Sequence, residues 1–216
     1  MTKHTVVLLT SFIAVTIFIL GAIFYTKSTP DFTRSMSSNG ESVLFRSHSP
    51  ILGPSSAKVT VTEFFDPSCE TCREFFPLVE EIIADHQGKV RFVMRYATFH
   101  PGSEEAVRIL EAARRQNKFE NILSVLLQKQ GEWAAEGAPN LARAWEIAGE
   151  AGLDLVKAKQ DAFLPEVDRI IQQDMADVKS ADVTKTPTFF VNGKPLLSFG
   201  KQQLYDLVKE EVAKQQ

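Results

Sequence analysis

Residues 59–72 read Val59-Thr60-Val61-Thr62-Glu63-Phe64-Phe65-Asp66-Pro67-Ser68-Cys69-Glu70-Thr71-Cys72. The first half is rich in β-branched and aromatic residues, which is typical of a buried strand. Asp66-Pro67-Ser68 is turn chemistry, and Ser68 is suited to cap a helix. Apolar spacing then predicts a helix from Cys69 to about His86. This stretch therefore predicts a strand, a tight turn and a helix that opens at a pair of cysteines.

The chain has two cysteines, Cys69 and Cys72. At the start of a helix this spacing puts both sulfur atoms on one face, close enough to form a disulfide. With Cys69 at the first helical position, free backbone N–H groups and the helix dipole would stabilise its thiolate. Such a thiolate attacks disulfides, and Cys72, one turn deeper, is placed to resolve the mixed disulfide. Buried structural thiols and a metal site are the two other interpretations of the pair.

Strand and helix patterns continue beyond this stretch. Residues 90–96 predict a second strand, and residues 103–180 carry the apolar spacing of several helices. Further on, Asn192-Gly193 between two short strand patterns predicts a hairpin with a type I′ turn, and Pro195 suits an edge strand. An amphipathic helix closes the chain. The predicted order is β-α-β, a helical block, then β-β-α.

The N-terminal part of the chain has a different character. Residues 5–25 are 21 residues without a charge, and as a helix they would span roughly 30 Å, enough to cross a bilayer core. A signal peptide is the competing interpretation, but its apolar region is usually only about 7–15 residues long. We expect residues 1–26 to be an uncleaved membrane anchor. Residues 27–56, rich in Ser and containing Pro, then read as a tether to a domain at 57–216. A short apolar patch at 43–45 could form one edge strand within this tether.

Composition excludes several classes of function. The chain of 216 residues is 44% hydrophobic and 24% charged, with a net charge of -3, which fits a globular domain and lacks the basic face of a nucleic-acid binder. Two cysteines cannot build a disulfide framework. The histidines, at 4, 48, 86 and 100, have no metal-ligand spacing to one another. His100 lies in a loop-like stretch that could be near the site, but a structural or solvent role is favoured for it. Motifs of hydrolases, dinucleotide sites and phosphate sites are absent from the sequence.

Taken together, the motifs resemble the thioredoxin superfamily and, within it, the DsbA-like branch. The resemblance rests on four features: the strand leading into Cys69-Glu70-Thr71-Cys72, Glu63 ahead of it, Pro77 within the helix, and Thr186-Pro187 before the hairpin. It implies a thioredoxin-like α/β fold with an inserted helical subdomain at about 103–180, preceded by an N-terminal transmembrane helix.

The resemblance also implies roles for individual residues. Cys69 would be the nucleophile and Cys72 the resolving thiol. Glu63 would be a buried carboxylate that relays protons to or from Cys72, with its pKa raised by desolvation. Pro187 would follow a cis peptide bond, and the backbone of Thr186 would pair with an extended substrate chain.

The implied function is that of a membrane-tethered thiol–disulfide oxidoreductase. It needs no dissociable cofactor and no metal, since the Cys69–Cys72 disulfide is itself the redox group. Its partners would be cysteine-containing client proteins and a membrane redox partner that recycles the pair. We expect a bacterial inner-membrane protein with its catalytic domain in the periplasm or another extracytoplasmic space.

Residues next to the cysteines bear on the direction of reaction. DsbA carries a histidine between its cysteines that helps stabilise the thiolate, whereas this chain has Glu70-Thr71. A carboxylate at Glu70 should disfavour the thiolate, and Arg73 could either offset it or form an ordinary surface ion pair. Thr186 resembles the residue of the family's isomerases. A reductase or isomerase is therefore favoured over a strong oxidase.

Two rival functions remain at this stage. Both thiolates could bind copper or another soft metal ion, although no Met or His lies near them in the sequence. The chain could also be an assembly subunit whose thiols are only structural. Metal retention and native alkylation of Cys69 would separate these alternatives from an enzyme.

Overall fold

The computed structural model describes residues 42–135 and 138–215. The predicted anchor at residues 5–25 and the first part of the tether lie outside the described residues. Within the described ranges, no helix combines the length and apolar character needed to cross a membrane.

A mixed sheet forms the centre of the described domain. Its five strands, within the described residues, are β1 (Ile51–Leu52), β2 (Val59–Phe65), β3 (Val90–Tyr96), β4 (Thr188–Val191) and β5 (Lys194–Pro195). They lie in the order β1-β3-β2-β4-β5. The central pair, β2 and β3, is parallel, while β1 and β4 flank it antiparallel. Parallel strands end at the same edge of a sheet, so the segments that follow β2 and β3 are brought together.

Eight helices accompany the sheet in the described part of the chain. They are α1 (Glu70–Asp85), α2 (Ser103–Arg115), α3 (Phe119–Gln128), α4 (Gln130–Trp133), α5 (Leu141–Glu150), α6 (Leu155–Asp161), α7 (Pro165–Ser180) and α8 (Lys201–Ala213). Helices α2 to α7 fill the span for which a helical insertion was predicted. Helix α1 packs on β3 and α8, and α7 packs on β3. The thioredoxin-like α/β fold with helical content is therefore confirmed.

The hairpin near the end of the chain also has the predicted form. Asn192 and Gly193 both have positive φ angles, of 47° and 80°, as a type I′ turn requires. Pro195 lies in β5, at the edge of the sheet, where its missing N–H removes no ladder hydrogen bond.

Part of the predicted tether is folded into the domain. Ile51 and Leu52 form β1, which pairs with β3, whereas the apolar patch at 43–45 forms an isolated bridge between Ser42 and Phe45 rather than an edge strand. Leu44 and Leu52 are buried. The sequence pattern missed this because a two-residue strand is too short to show alternation.

A buried charge network ties this same segment to α7. Arg95 is fully buried and pairs with Asp174 at 2.7 Å and Asp177 at 2.6 Å. Arg46 donates two hydrogen bonds to Asp177, at 2.8 and 2.7 Å, and His48 Nε2 lies 2.6 Å from Asp174 Oδ1. Arg46 and His48 of the N-terminal segment and Arg95 of β3 thus share two carboxylates of α7.

Candidate active site

The cysteine pair lies at the start of α1, just after the turn that connects β2 to this helix. Helix α1 begins at Glu70, and Cys69 is its N-cap residue, with extended φ and ψ of -76° and 123°. This corrects the predictions that Cys69 is the first helical residue and that Ser68 is the cap. The Ser68 N–H instead donates to Asp66 Oδ1 at 2.8 Å. Both cysteines are free thiols and buried, with exposed fractions of 5% for Cys69 and 1% for Cys72.

The environment of Cys69 stabilises its thiolate. Its pKa is lowered to about 5, and the largest cause is the hydrogen bond with the Cys72 thiol. Burial opposes this, while the Thr186 side chain, the Cys72 backbone N–H and the positive charge of His100 all lower the pKa further. Because the pKa lies below neutrality, Cys69 is a thiolate at pH 7 and is ready to act as a nucleophile.

Cys72 has the opposite electrostatic environment. Its pKa is raised well above that of an ordinary thiol, first by burial, then by the hydrogen bond to Cys69 and the negative charge of Glu63. The Asp66 N–H donates to Cys72 Sγ at 3.5 Å. The two thiols therefore differ in charge at neutral pH, one ionised and one protonated.

Glu63 is a carboxyl group inside the sheet. It lies in the middle of β2, opposite Met94 of β3 and Phe189 of β4, and is 2% exposed. Burial raises its pKa to about 8, and the charge of Cys69 adds to the effect. Among the residues the structure describes, its Oε2 atom has no hydrogen-bond partner. A carboxyl group in this state is able to gain or lose a proton near neutral pH.

Thr186 and Pro187 lie against the cysteine pair. The peptide bond between them is cis, as predicted, and the Thr186 carbonyl oxygen lies 3.4 Å from Cys69 Sγ. Strand β4, which follows directly, pairs antiparallel with β2. The pairing of β2 with β4 thus brings the loop at Thr186-Pro187 next to Cys69, since the two segments adjoin these two strands.

The residues between and after the cysteines form a surface pair. Arg73 Nη2 lies 2.7 Å from Glu70 Oε1, and both side chains are substantially exposed. Thr71 is half-buried. The net pKa of Cys69 is lowered, through hydrogen bonds with Cys72 and Thr186 and the charge of His100, and the expected unfavourable effect of Glu70 on the thiolate stays a prediction. Of the two interpretations of Arg73, the structure shows the surface ion pair with Glu70.

Two polar residues at the site were not singled out from the sequence for this role. Asp66, read as a turn residue, is fully buried and lies 2.7 Å from Nδ1 of His100. Gln130 of α4 is buried and donates to the carbonyl oxygens of Pro67 and Cys69, at 2.8 and 3.0 Å. The helical insertion is thereby hydrogen-bonded to the active-site turn. His100 follows β3, so the shared edge of parallel strands was the available clue to its position.

A cleft opens beside the cysteine pair. It has a volume of about 370 Å³ and its lining includes Ser68, Glu70, Arg73, His100 and Gln130. It is therefore bounded on one side by the residues flanking Cys69 and on the other by the helical insertion.

The described residues offer little for a metal ion. Within 42–135 and 138–215, no cluster of three or more His, Cys, Asp or Glu side chains is arranged to hold one.

The chain was compared with known proteins. The profile of the family described as Thioredoxin matches residues 46–210. The chain belongs to the thioredoxin superfamily. A thioredoxin-like oxidoreductase from Silicibacter pomeroyi DSS-3 is 30% identical, with a TM-score of 0.68 over 80% of this chain and 96% of that one.

Two curated relatives of this thioredoxin-superfamily chain differ in size. Disulfide bond formation protein D of Bacillus subtilis is 27% identical over 182 residues, 77% of this chain and 76% of that protein. The Na(+)/H(+) antiporter NhaA of Herminiimonas arsenicoxydans is 30% identical over 146 residues, 68% of this chain. The match covers only 22% of the antiporter's length. The predicted membership of the DsbA-like branch is confirmed.

Proposed function

We propose that this chain is a thiol–disulfide oxidoreductase that acts on protein disulfides. The observation that carries the proposal is the opposite ionisation of two adjacent buried thiols, with the Cys69 pKa lowered to about 5 and the Cys72 pKa raised well above the ordinary range. The Cys69 thiolate is a nucleophile. Cys72 stays protonated and does not react until a mixed disulfide has formed on Cys69.

The exchange proceeds in two balanced steps. The Cys69 thiolate attacks one sulfur of a client disulfide, and the other client sulfur leaves as a thiolate. Cys72 then loses its proton and attacks Cys69 Sγ, which forms the Cys69–Cys72 disulfide and releases the first client sulfur as a thiolate. Two electrons pass from the pair to the client, and the reverse sequence oxidises a client.

Glu63 is proposed as the group that takes the proton of Cys72. Its pKa of about 8 leaves it able to exchange a proton near neutral pH, and its charge acts on Cys72. Consumption of the Cys69 thiolate removes a negative charge that raises the Glu63 pKa. Glu63 therefore becomes easier to ionise when Cys69 becomes part of a mixed disulfide.

Thr186 and Pro187 are proposed to hold the client chain. Any chain joined to Cys69 by a mixed disulfide passes close to Thr186, whose carbonyl oxygen is 3.4 Å from the sulfur. An extended client segment there would pair with the Thr186 backbone as an added strand. Glu70, Thr71 and Arg73 would modulate the site from its exposed side.

We propose that the pair works as a reductase or isomerase of disulfides rather than as a strong oxidase. A Cys69 pKa of about 5 lies between the nucleophilic cysteines of thioredoxin, about 7, and DsbA, about 3.5. A more stable thiolate stabilises the reduced form, so an intermediate pKa supports an intermediate reduction potential.

An extracytoplasmic location is also part of the proposal. It is supported by the apolar stretch at residues 5–25 and by the relative named disulfide bond formation protein D. Structural disulfides of client proteins persist in such oxidising spaces. We propose a membrane anchor, clients that contain cysteine, and a membrane redox partner that restores the pair after each turnover.

An assay with the full chain tests the proposal. The wild type should reduce insulin disulfides in the presence of dithiothreitol and should refold a scrambled disulfide protein. The Cys69→Ser variant should lose both activities, whereas Cys72→Ser should accumulate mixed disulfides with clients. Wild-type activity equal to that of Cys69→Ser would overturn the proposal.

A further inference from the structure

We propose that His100 is a positioning residue that supplies positive charge to the Cys69 thiolate and is held in place by Asp66. The inference rests on the proposed function, since it concerns the reactivity of that thiolate. The residues between the cysteines, Glu70 and Thr71, carry no positive charge that could stabilise the thiolate. In this proposal His100, in the loop after β3, supplies it.

Asp66 holds His100 in place through its side-chain hydrogen bonds. It is fully buried, and within the described residues its side-chain carboxylate accepts five hydrogen bonds. The donors are the backbone N–H groups of Ser68, Phe99 and His100, the His100 ring nitrogen Nδ1, and the Ser103 hydroxyl. A side chain with this many partners cannot move freely, so it fixes whatever is bonded to it.

The hydrogen bond fixes the tautomer and the direction of the imidazole. Nδ1 of His100 lies 2.7 Å from Asp66 Oδ2. An ionised carboxylate only accepts hydrogen bonds, so Nδ1 carries the proton of this bond. Protonation of the ring then takes place at Nε2, on a side chain that is 45% exposed and lines the cleft beside the cysteine pair.

Asp66 also connects the imidazole to both cysteines. Its carbonyl oxygen accepts from the Cys69 N–H at 3.1 Å, and its N–H donates to Cys72 Sγ at 3.5 Å. One residue therefore sets the position of the nucleophile, the resolving thiol and the histidine. A rotation of the His100 imidazole away from the site would break its hydrogen bond to Asp66.

The electrostatics agree with the geometry. The charge of His100 lowers the pKa of Cys69. Burial lowers the pKa of His100, but the hydrogen bond to Asp66 and the charges of Asp66 and Cys69 raise it more, so its net pKa is above the ordinary value. Between about pH 5 and the His100 pKa, the thiolate and the imidazolium are present together.

Other charged groups around His100 are largely paired. On α1, Glu70 is paired with Arg73 at 2.7 Å. On α2, Arg108 is paired with Glu104 at 2.8 Å and with Asp168 of α7 at 2.7 Å. Glu105 accepts a hydrogen bond from the indole of Trp145 at 2.8 Å. The titration of His100 is therefore expected to respond mainly to Asp66 and to the ionisation of Cys69.

Reciprocal coupling provides the first test. If His100 stabilises the Cys69 thiolate, the thiolate must raise the pKa of His100 by the same factor. Proton NMR of the full chain, titrated in the reduced and oxidised states, should give a higher His100 pKa in the reduced state. Reduced Cys69→Ser, which has no thiolate at this position, should show the lower His100 pKa of the oxidised wild type. Identical His100 titration in both redox states would overturn the inference, because a merely structural histidine would not sense the thiolate.

A substitution provides the second test. In His100→Gln the fraction of Cys69 thiolate at pH 4, followed by absorbance at 240 nm, should fall by about threefold to tenfold, as expected for loss of one nearby charge. His86→Gln, at the far end of α1, is the matched control and should leave the titration unchanged. Equal titration of His100→Gln and wild type would contradict the inference. The proposed function would fail separately, through absence of insulin reduction by the wild type.

Discussion

Cys69 Sγ and the carbonyl oxygen of Thr186 lie 3.4 Å apart, although the two residues are 117 positions apart in the chain. The contact exists because β4 pairs with β2, the strand that leads into the cysteine pair. It brings the loop with the cis Thr186–Pro187 bond to the sulfur that would be joined to a client. The predictions below follow from this site and from the carboxylates and cations that support it.

The first prediction concerns the titration of Cys69. The reduced full chain should show a thiolate transition at 240 nm with a midpoint near pH 5, because the Cys69 pKa is lowered to about 5. Cys69→Ser should abolish the transition. Cys72→Ala should move it to higher pH, since the hydrogen bond with Cys72 is the largest lowering cause. A wild-type midpoint near that of a free cysteine, about 8.5, would contradict this description.

The second prediction concerns Glu63 and the pH dependence of stability. The pKa of Glu63 in the folded state, about 8, is above the ordinary value of 4.5 for a glutamate, so between these pH values the folded state binds a proton that the unfolded state has lost. Glu63 therefore makes the stability of the fold decrease as pH rises through this window.

Replacement of the carboxyl group should remove that penalty. In the reduced state at pH 9, Glu63→Gln should be more stable than wild type by up to about 4 kcal/mol, with a smaller difference at pH 5. Urea unfolding at the two pH values measures this. Glu70→Gln, an exposed carboxylate on α1, is the control and should show little change. A wild type that is more stable to urea than Glu63→Gln at pH 9 would contradict the prediction.

The third prediction concerns Asp66. Asp66→Asn places an NH₂ group among donors that require an acceptor, so we expect a loss of about 3 kcal/mol in the free energy of unfolding. Asp85→Asn, at the C-terminal end of α1, changes an exposed carboxylate that accepts one hydrogen bond from Tyr205, and it should cost less than about 1 kcal/mol. Equal losses from the two substitutions in urea unfolding would contradict the anchoring role of Asp66.

The fourth prediction concerns the buried network of Arg95. Arg95→Met leaves Asp174 and Asp177 buried with one cation fewer, which should cost about 3–5 kcal/mol. Arg73→Met, which breaks an exposed pair, should cost less than about 1 kcal/mol. Limited proteolysis should cleave residues 42–48 faster in Arg95→Met, because Arg95 also donates to the carbonyl oxygen of Val43. Unchanged stability and cleavage would show that the network does not secure this segment.

Much of the fold could be predicted from local patterns. The strand, turn and helix around the cysteine pair, the helical insertion and the Asn192-Gly193 hairpin each have a signature within a short window of sequence. The N-terminal segment had none, because Ile51 and Leu52 are too few residues to show a period. Its attachment depends on ion pairs such as Arg46 with Asp177, whose partners are far apart in the chain.

The site could be predicted only where a single residue carries the chemistry. Cys69, Cys72, Glu63 and the residues at 186–187 follow from motif and resemblance. A structural or solvent role was favoured for His100 because its partner, Asp66, lies 34 positions earlier in the chain, in the turn after β2. The ion pair of Arg73 with Glu70 was one of two open interpretations of Arg73. The net pKa of Cys69 depends on burial and hydrogen bonds in the folded protein, which the spacing of residues in the sequence does not show.

The reduction potential of the Cys69–Cys72 pair tests the central claim most directly. The full chain would be equilibrated in glutathione buffers, and its free thiols trapped by alkylation and counted by mass. We expect one two-electron transition with a midpoint between that of thioredoxin, about −270 mV, and that of DsbA, about −120 mV. Two thiols that remain free at every glutathione ratio would contradict a redox-active pair.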